Sequence, residues 1–438
     1  MFDLPKYGKG VCLARMAALL GALAIDRGRL RERSVAIAGS NGKGSTAAFC
    51  AHIARAYGLR TGLFTSPHLF QVNERFQIDG AAIDDQALSS RAARIKAAID
   101  TISRESGEQF GAFEAMFALA CLHFQDNDCE FSVFEAGIGG RYDPVRLLDT
   151  PLTCVTSVDY EHVELLGNSL QLIVSDKSDA CAGGGSIIYG ENCRSLRPHI
   201  LEYNRNRNVE SLFIRDDIRI GSEAIRATDQ SFDFAFGDHH FRNLTLALPG
   251  SFQVNNAAIA ITLLLRWLER ARPGAAPREI EAAVRSGLRE ARWPGRLEAI
   301  AQNPLTVIDV GHTPDGIRQS LAGLQQTYGA EDWILVIGVS FDKQAEEIAE
   351  ILAPAFDTII CTSAHHKGGD AAALAAIIGK ANPKAGVRIA ATIEEAFSES
   401  QTLATSLNRK IYVAGGLFTA IEYAAIARGL DARDLAFF

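Results

Sequence analysis

Residues 35–46 read Val-Ala-Ile-Ala-Gly-Ser-Asn-Gly-Lys-Gly-Ser-Thr, and no other stretch constrains the fold as strongly. Val35 to Ala38 is a short apolar run with β-branched residues, which predicts a buried strand. Gly39 to Gly44 cannot continue that strand. From Ser45 the pattern turns helical through Ala47, Ala48, Cys50, Ala51, Ile53 and Ala54. A strand, a glycine-rich turn and a helix together make a cradle for phosphate. The turn's N–H groups and the helix N-terminus present partial positive charge, and glycines let an anion approach the backbone. Lys43 adds a full charge for β- and γ-phosphates, and Ser45 or Thr46 adds a hydroxyl for magnesium or a phosphate. Asn41, Gly42, Lys43, Gly44, Ser45 and Thr46 are the candidate nucleotide-binding residues. The usual P-loop places four residues between its first glycine and the Gly-Lys pair. Here two residues separate Gly39 from Gly42-Lys43, and Gly44 precedes the hydroxyls.

A chain of 438 residues implies two or three domains. With 47% hydrophobic and 22% charged residues it has the composition of a soluble globular protein. A net charge of -8 argues against a general nucleic-acid binder, which would carry a basic face. The eight cysteines form no C-x-x-C pair, which fits reduced, buried thiols in a cytosolic protein. Val11 to Ile25 is apolar, but Arg15 interrupts it, so an amphipathic first helix is expected rather than a signal peptide. No apolar run approaches the roughly 20 residues of a membrane helix.

In order, helix 11–24 precedes the cradle, and Thr61 to Phe64 is a second strand. Residues 85–104 and 111–125 read as helices. Phe131 to Phe134 is a buried strand ending on Glu135, with Gly137, Gly139 and Gly140 just beyond. Leu152 to Val158 is a strand, 168–181 a helix carrying Lys177, and Ser186 to Tyr189 a strand. Residues 209–250 suggest an antiparallel patch. Asn255 to Leu268 is an apolar helix, and another follows Pro277 to Glu290. Trp293-Pro294-Gly295-Arg296 breaks the chain into domains 1–293 and 294–438. Beyond it strands fall near 305–310, 333–339, 357–361, 387–391 and 410–414, alternating with helices. The expected fold is α/β: a P-loop-type, mostly parallel sheet followed by a smaller Rossmann-like domain.

Glu135 ends a buried strand near the phosphate loop, where an α/β nucleotide enzyme places a magnesium ligand. His162 sits in a polar turn beyond the next strand, expected beside Glu135. Taken alone, Lys177 reads as a surface lysine. Asp309-Val310-Gly311-His312 closes the first strand of the second domain, where an acid and a histidine can face a ligand between domains. His365-His366-Lys367 reads as a solvated basic loop.

These motifs stand in one order along the chain: Ala38-Gly39-Ser40-Asn41-Gly42-Lys43-Gly44-Ser45, Thr65-Ser66-Pro67-His68-Leu69, Asn73-Glu74-Arg75, Phe113-Glu114, Glu135-Ala136-Gly137-Ile138-Gly139-Gly140-Arg141, the His162 turn, Gln253 with Asn256, Trp293-Pro294-Gly295-Arg296-Leu297-Glu298 and Asp309-Val310-Gly311-His312. Together the chain resembles the folylpolyglutamate synthase/dihydrofolate synthase family of the Mur ligase superfamily. The resemblance implies an ATP-dependent amide ligase, acting in the cytoplasm as a monomer. It would join L-glutamate to dihydropteroate or a folate through an acyl phosphate. It also implies that Ser66, Glu135 and His162 hold magnesium, that Asn256, Arg296 and Asp309 contact the nucleotide, and that Lys43, Lys177 and His312 serve catalysis. Lys177 would be carbamylated, and Phe113, Asp143 and Arg75 would meet the substrate. Departures include Glu161-His162-Val163 for Asp-His-Thr and Tyr142-Asp143-Pro144-Val145-Arg146 for Leu-Asp-Ala-Thr-Asn. They leave as the alternative a paralogue joining a different carboxylic acid to an amino acid or amine.

Overall fold

The computed structural model describes residues 4–437, apart from 6, 7, 11, 12, 227, 228 and 342. In the larger unit, the strands are β1 (Ser34–Ala38), β2 (Thr61–Phe64), β3 (Phe76–Ile78), β4 (Ala81–Ala82), β5 (Phe131–Glu135), β6 (Leu152–Val155), β7 (Ser186–Tyr189) and β8 (Glu210–Phe213). They lie in the order β4-β3-β2-β5-β1-β6-β7-β8. Only the β2–β3–β4 edge is antiparallel. β1 and β5 are buried at every residue, because helices cover both faces of the sheet. Helices Lys43–Ala56, Phe252–Ala271 and Pro277–Glu290 share one apolar core. Helices Leu13–Ala22, Asp85–Ser106 and Ala112–Asp126 share the other.

Two expectations change here. The strand after β5 stops at Val155 rather than Val158, because Thr156 to Asp159 leave the sheet to brace the phosphate loop. The first strand of the 209–250 patch, β8, pairs parallel with β7. The rest of that patch is a separate antiparallel sheet of β9 (Arg219–Ile225), β10 (Gln230–Phe236) and β11 (His239–Leu246). The first helix is described from Leu13, and residues 11 and 12 lie outside the described residues.

The second sheet contains β12 (Glu298–Gln302), β13 (Leu305–Ile308), β14 (Trp333–Ile337), β15 (Thr358–Cys361), β16 (Gly386–Ile389) and β17 (Lys410–Ala414). Its order is β12-β13-β17-β14-β15-β16, parallel except for the hairpin β12–β13. Its two faces carry their own cores. The carboxyl ends of β1, β5 and β6 and those of β13 and β14 feed loops into one shared cavity, where α/β sheets bind ligands.

Candidate active site

The cavity measures about 1110 Å³. Its floor is the turn after β1. The loop following β6 fixes that turn in place. Ser157 Oγ accepts the Asn41 N–H at 2.8 Å, and Thr156 Oγ1 donates to the Asn41 carbonyl at 2.6 Å. Gly42 caps the helix Lys43–Ala56 with φ +85°, and a Cβ there would stand 2.6 Å from Asn256 Oδ1. Asn256 bonds Gln253 at 3.0 Å, and Gln253 bonds Ser45 Oγ at 3.3 Å. Helix Phe252–Ala271 therefore props the cradle from beneath. Lys43 Nζ donates to the Gly39 and Ser40 carbonyls at 2.8 and 3.2 Å, folded along the loop it serves.

Ser45 lines the cavity and Thr46 does not. The Thr46 hydroxyl is buried, with no hydrogen-bond partner among the described residues. Of the two hydroxyls the sequence offered, the structure brings Ser45 to the cavity.

Glu135 ends β5 on the cavity wall, buried, and its Oε2 accepts the Ser66 N–H at 3.0 Å. Burial pushes its carboxyl up, while Lys43, the Ser66 N–H, Arg296 and Arg75 hold it down. His162 lines the same wall in a left-handed conformation, φ +45°. Partial enclosure by protein and the nearby Lys343, Lys43 and Lys177 charges push its imidazole below its ordinary value against the pull of Glu161. Among the described residues no three His, Cys, Asp or Glu side chains cluster as a metal cage. Two protein donors and a hydroxyl nevertheless suit Mg²⁺, which keeps waters and takes phosphate oxygens.

Lys177 corrects the surface reading: its side chain is 1% exposed and pairs with Glu161 at 2.6 Å. Burial alone would raise the Glu161 carboxyl, but Lys177 and Lys43 hold it down at about 2. Glu161, not Lys177, faces the cavity. Arg75 is buried and donates to His68 Nδ1 at 2.8 Å.

Asp143 and Phe113 line the end of the cavity carried by the larger unit. Asp143 accepts the N–H groups of Gly137, Ile138 and Val145 at 2.9, 3.1 and 3.0 Å. Burial nevertheless pushes its carboxyl up to about 6. Phe113 packs over Gly137, where a Cβ would come within 2.7 Å of its ring. From the second unit come Arg296, Asp309 and His312. The Asp309 carboxylate already accepts Leu297 N–H, Gly311 N–H and Ser320 Oγ–H at 3.1, 2.8 and 2.6 Å. His312 is exposed to the cavity, yet the protein enclosing that cavity and the Lys343, Arg296 and Lys43 charges push it down to about 4. Its Nδ1 lies 3.3 Å from the Val310 carbonyl, which can only accept, so the ring's other nitrogen carries the lone pair.

The motifs give no sign of Lys343, Phe418, Phe437 or Arg15, all of which line the cavity. Lys343 lies just past the carboxyl end of β14, so the rule that singles out Asp309 would have found it. His366 belongs to an aromatic cluster with Phe418 and Phe437 rather than to a solvated loop.

Residues 295–417 match the family described as Mur ligase, glutamate ligase domain. The chain is 29% identical to the folylpolyglutamate synthase of Lacticaseibacillus casei over 82% of each chain. It is 29% identical to the dihydrofolate synthase/folylpolyglutamate synthase of Bacillus subtilis, covering 79% of this chain and 80% of that protein. The structure of Mycobacterium tuberculosis folylpolyglutamate synthase complexed with ADP superposes with a TM-score of 0.87 at 25% identity, over 96% of each chain.

Proposed function

We propose that the chain belongs to the folylpolyglutamate synthase/dihydrofolate synthase family of the Mur ligase superfamily, and that its residues perform the family's reaction. It is an ATP-dependent, ADP-forming ligase that joins L-glutamate to dihydropteroate or folates through an acyl phosphate. The observation that carries this reading is the single cavity onto which the phosphate cradle, Glu135, Phe113 and His312 all open. The alternative, ligation of some other carboxylic acid, has less support, because the likeness to folate ligases runs along four-fifths of their length.

ATP phosphates lie on the N–H groups of Gly42 to Ser45, and Lys43 leaves its loop carbonyls to meet the β- and γ-oxygens. Asn256 and Arg296 flank the nucleotide, and Asp309 fixes the loop that presents it. Mg²⁺ held by Ser66, Glu135 and His162 would neutralise the charge of the transferring phosphoryl group. Arg75 keeps positive charge behind Glu135. The substrate acid lies against Phe113, beside the loop that Asp143 pins. One of its carboxylate oxygens takes the γ-phosphoryl group as the bond to ADP breaks. The glutamate nitrogen then attacks the acyl carbon, the bond to phosphate breaks, and the uncharged His312 ring accepts a proton from that nitrogen.

Carbamylation of Lys177 is part of this reading. Burial draws its ammonium toward the neutral amine that takes up CO₂, whereas Glu161 holds the proton in place. The Glu161 pair must therefore open first. We also take the chain as two domains, 1–293 and 294–438, and as a cytoplasmic monomer. Among the described residues no helix is long and apolar enough to cross a membrane. The cysteines among the described residues are all buried, free thiols.

The chemistry is tested by trapping. With ATP, Mg²⁺ and dihydropteroate but no glutamate, added hydroxylamine should yield the pteroyl hydroxamate with one ADP released per hydroxamate. ADP release without hydroxamate would rule out the acyl phosphate.

A further inference from the structure

Leu435 to Phe437 run back to the seam between the two units. The Ala436 carbonyl accepts a hydrogen bond from His68 Nε2 at 2.7 Å. His68 belongs to the loop that carries Ser66, and its Nδ1 is filled by Arg75. Its two ring nitrogens are therefore fixed as one donor and one acceptor. Leu435 and Phe437 pack on the same apolar cluster as Leu69 and Phe70 of that loop. The Phe437 ring lies 5.1 Å from His366 and 4.9 Å from Phe418, centroid to centroid.

Phe418 and Phe437 both line the cavity, as do Lys343 and Lys367. The loops that carry these lysines are joined: Phe341 N–H donates to the Lys367 carbonyl at 3.3 Å, and Ser340 bridges Gly368. The lysine ion pairs among the described residues are those of Lys96 and Lys177, so neither Lys343 nor Lys367 pairs with a described carboxylate. Two cations and two aromatic rings lining one cavity suit an amino acid that carries two carboxylates on a short methylene chain. The cations take the carboxylates, and a ring limits the chain length. This wall belongs to the smaller unit, whereas Phe113 and Asp143 belong to the larger.

We propose that Phe437, held in place by the His68–Ala436 hydrogen bond, is the stop that sets which length of amino diacid the cavity accepts as its amine. The inference rests on the ligase reading and adds to it a residue beyond the matched stretch 295–417.

The test uses the full chain with Phe437→Ala, Phe437→Leu and Phe437→Trp. ADP release is followed at saturating ATP and dihydropteroate, with either L-glutamate or L-2-aminoadipate, one methylene longer, as amine. Phe437→Ala should shift the kcat/KM ratio toward aminoadipate by roughly tenfold, the scale of discrimination a hydrophobic pocket gives per methylene. It should also raise KM for glutamate while KM for ATP stays within about twofold. Phe437→Trp should shift the ratio the other way, and Phe437→Leu should lie near wild type. If Phe437→Ala fails to fold, the Trp and Leu variants decide alone. An unchanged ratio, or an equal fall in kcat for both amines, would overturn the proposal and leave the ligase reading standing. A wild-type protein that forms no product from glutamate and any folate acid would overturn the ligase reading and this proposal together.

Discussion

The cradle's dependence on one glycine can be measured. Gly42 has φ +85°, and a Cβ there would stand 2.6 Å from Asn256 Oδ1. In Gly42→Ala the left-handed backbone costs about 1–2 kcal/mol. Asn256 must also move, which strains its bond to Gln253 and, through Gln253, the hold on Ser45. One or two weakened hydrogen bonds add about 1 kcal/mol each. The sum is about 2–4 kcal/mol, and all of it falls on the loop that receives phosphate. If half appears as lost affinity, the Kd for ATP rises on the order of tenfold, at 1.4 kcal/mol per decade. Gly58→Ala is the control. Gly58 has φ +91° but nothing within 4 Å of a Cβ, and it lies at the far end of the same helix. It should lose the same backbone increment in stability and keep wild-type ATP affinity. Calorimetric titration with ATP and Mg²⁺, alongside melting temperatures, separates the two. Equal ATP affinity in Gly42→Ala and Gly58→Ala would refute the idea that Asn256 and Gly42 together shape the cradle.

Other outcomes follow from the same geometry. Lys177→Met leaves the half-buried Glu161 without its partner and should cost about 1–3 kcal/mol, with Glu161→Gln in the same chain recovering most of it; additive losses in thermal unfolding would contradict a coupled pair. Asp143 has a carboxyl raised to about 6, so its contribution to stability is present below its ordinary value near 4 and is lost as pH rises through 6. The melting temperature of Asp143→Asn should therefore fall less than wild type's between pH 4 and pH 7, and parallel curves would count against it. His312 is pushed down to about 4, so its protonation should not shape the rate between pH 6 and pH 8. A pH–rate inflection near 6.5 that disappears in His312→Gln would show an imidazole with an ordinary pKa instead.

The parts of the site that were legible in the sequence are those fixed by neighbours in the chain. The strand–turn–helix at 34–56 needs only its own glycines, its lysine and its apolar spacing. Glu135 and Asp309 were found by one rule, that ligands gather at the carboxyl ends of parallel strands. What stayed hidden depends on partners distant in sequence. Nothing near Lys177 announces its burial, because its partner Glu161 lies in another turn. Asp143 reads as a substrate contact, yet all the hydrogen bonds described for it go to backbone amides of its own loop. The sequence pattern carries the strand from Leu152 on to Val158, whereas the Thr156 and Ser157 hydroxyls are committed to Asn41. His366 and Phe437 meet only because the chain's last described segment crosses to His68.

The most direct measurement is ADP release by the purified protein with ATP, Mg²⁺ and L-glutamate. Dihydropteroate, tetrahydrofolate or no acid is supplied in parallel, and the products are weighed by mass spectrometry. The expected result is one glutamyl unit added per ADP with at least one of the two acids, and none in Lys43→Ala. ATP binding at the cradle with no glutamyl product from either acid would contradict the assignment of this cavity to folate ligation.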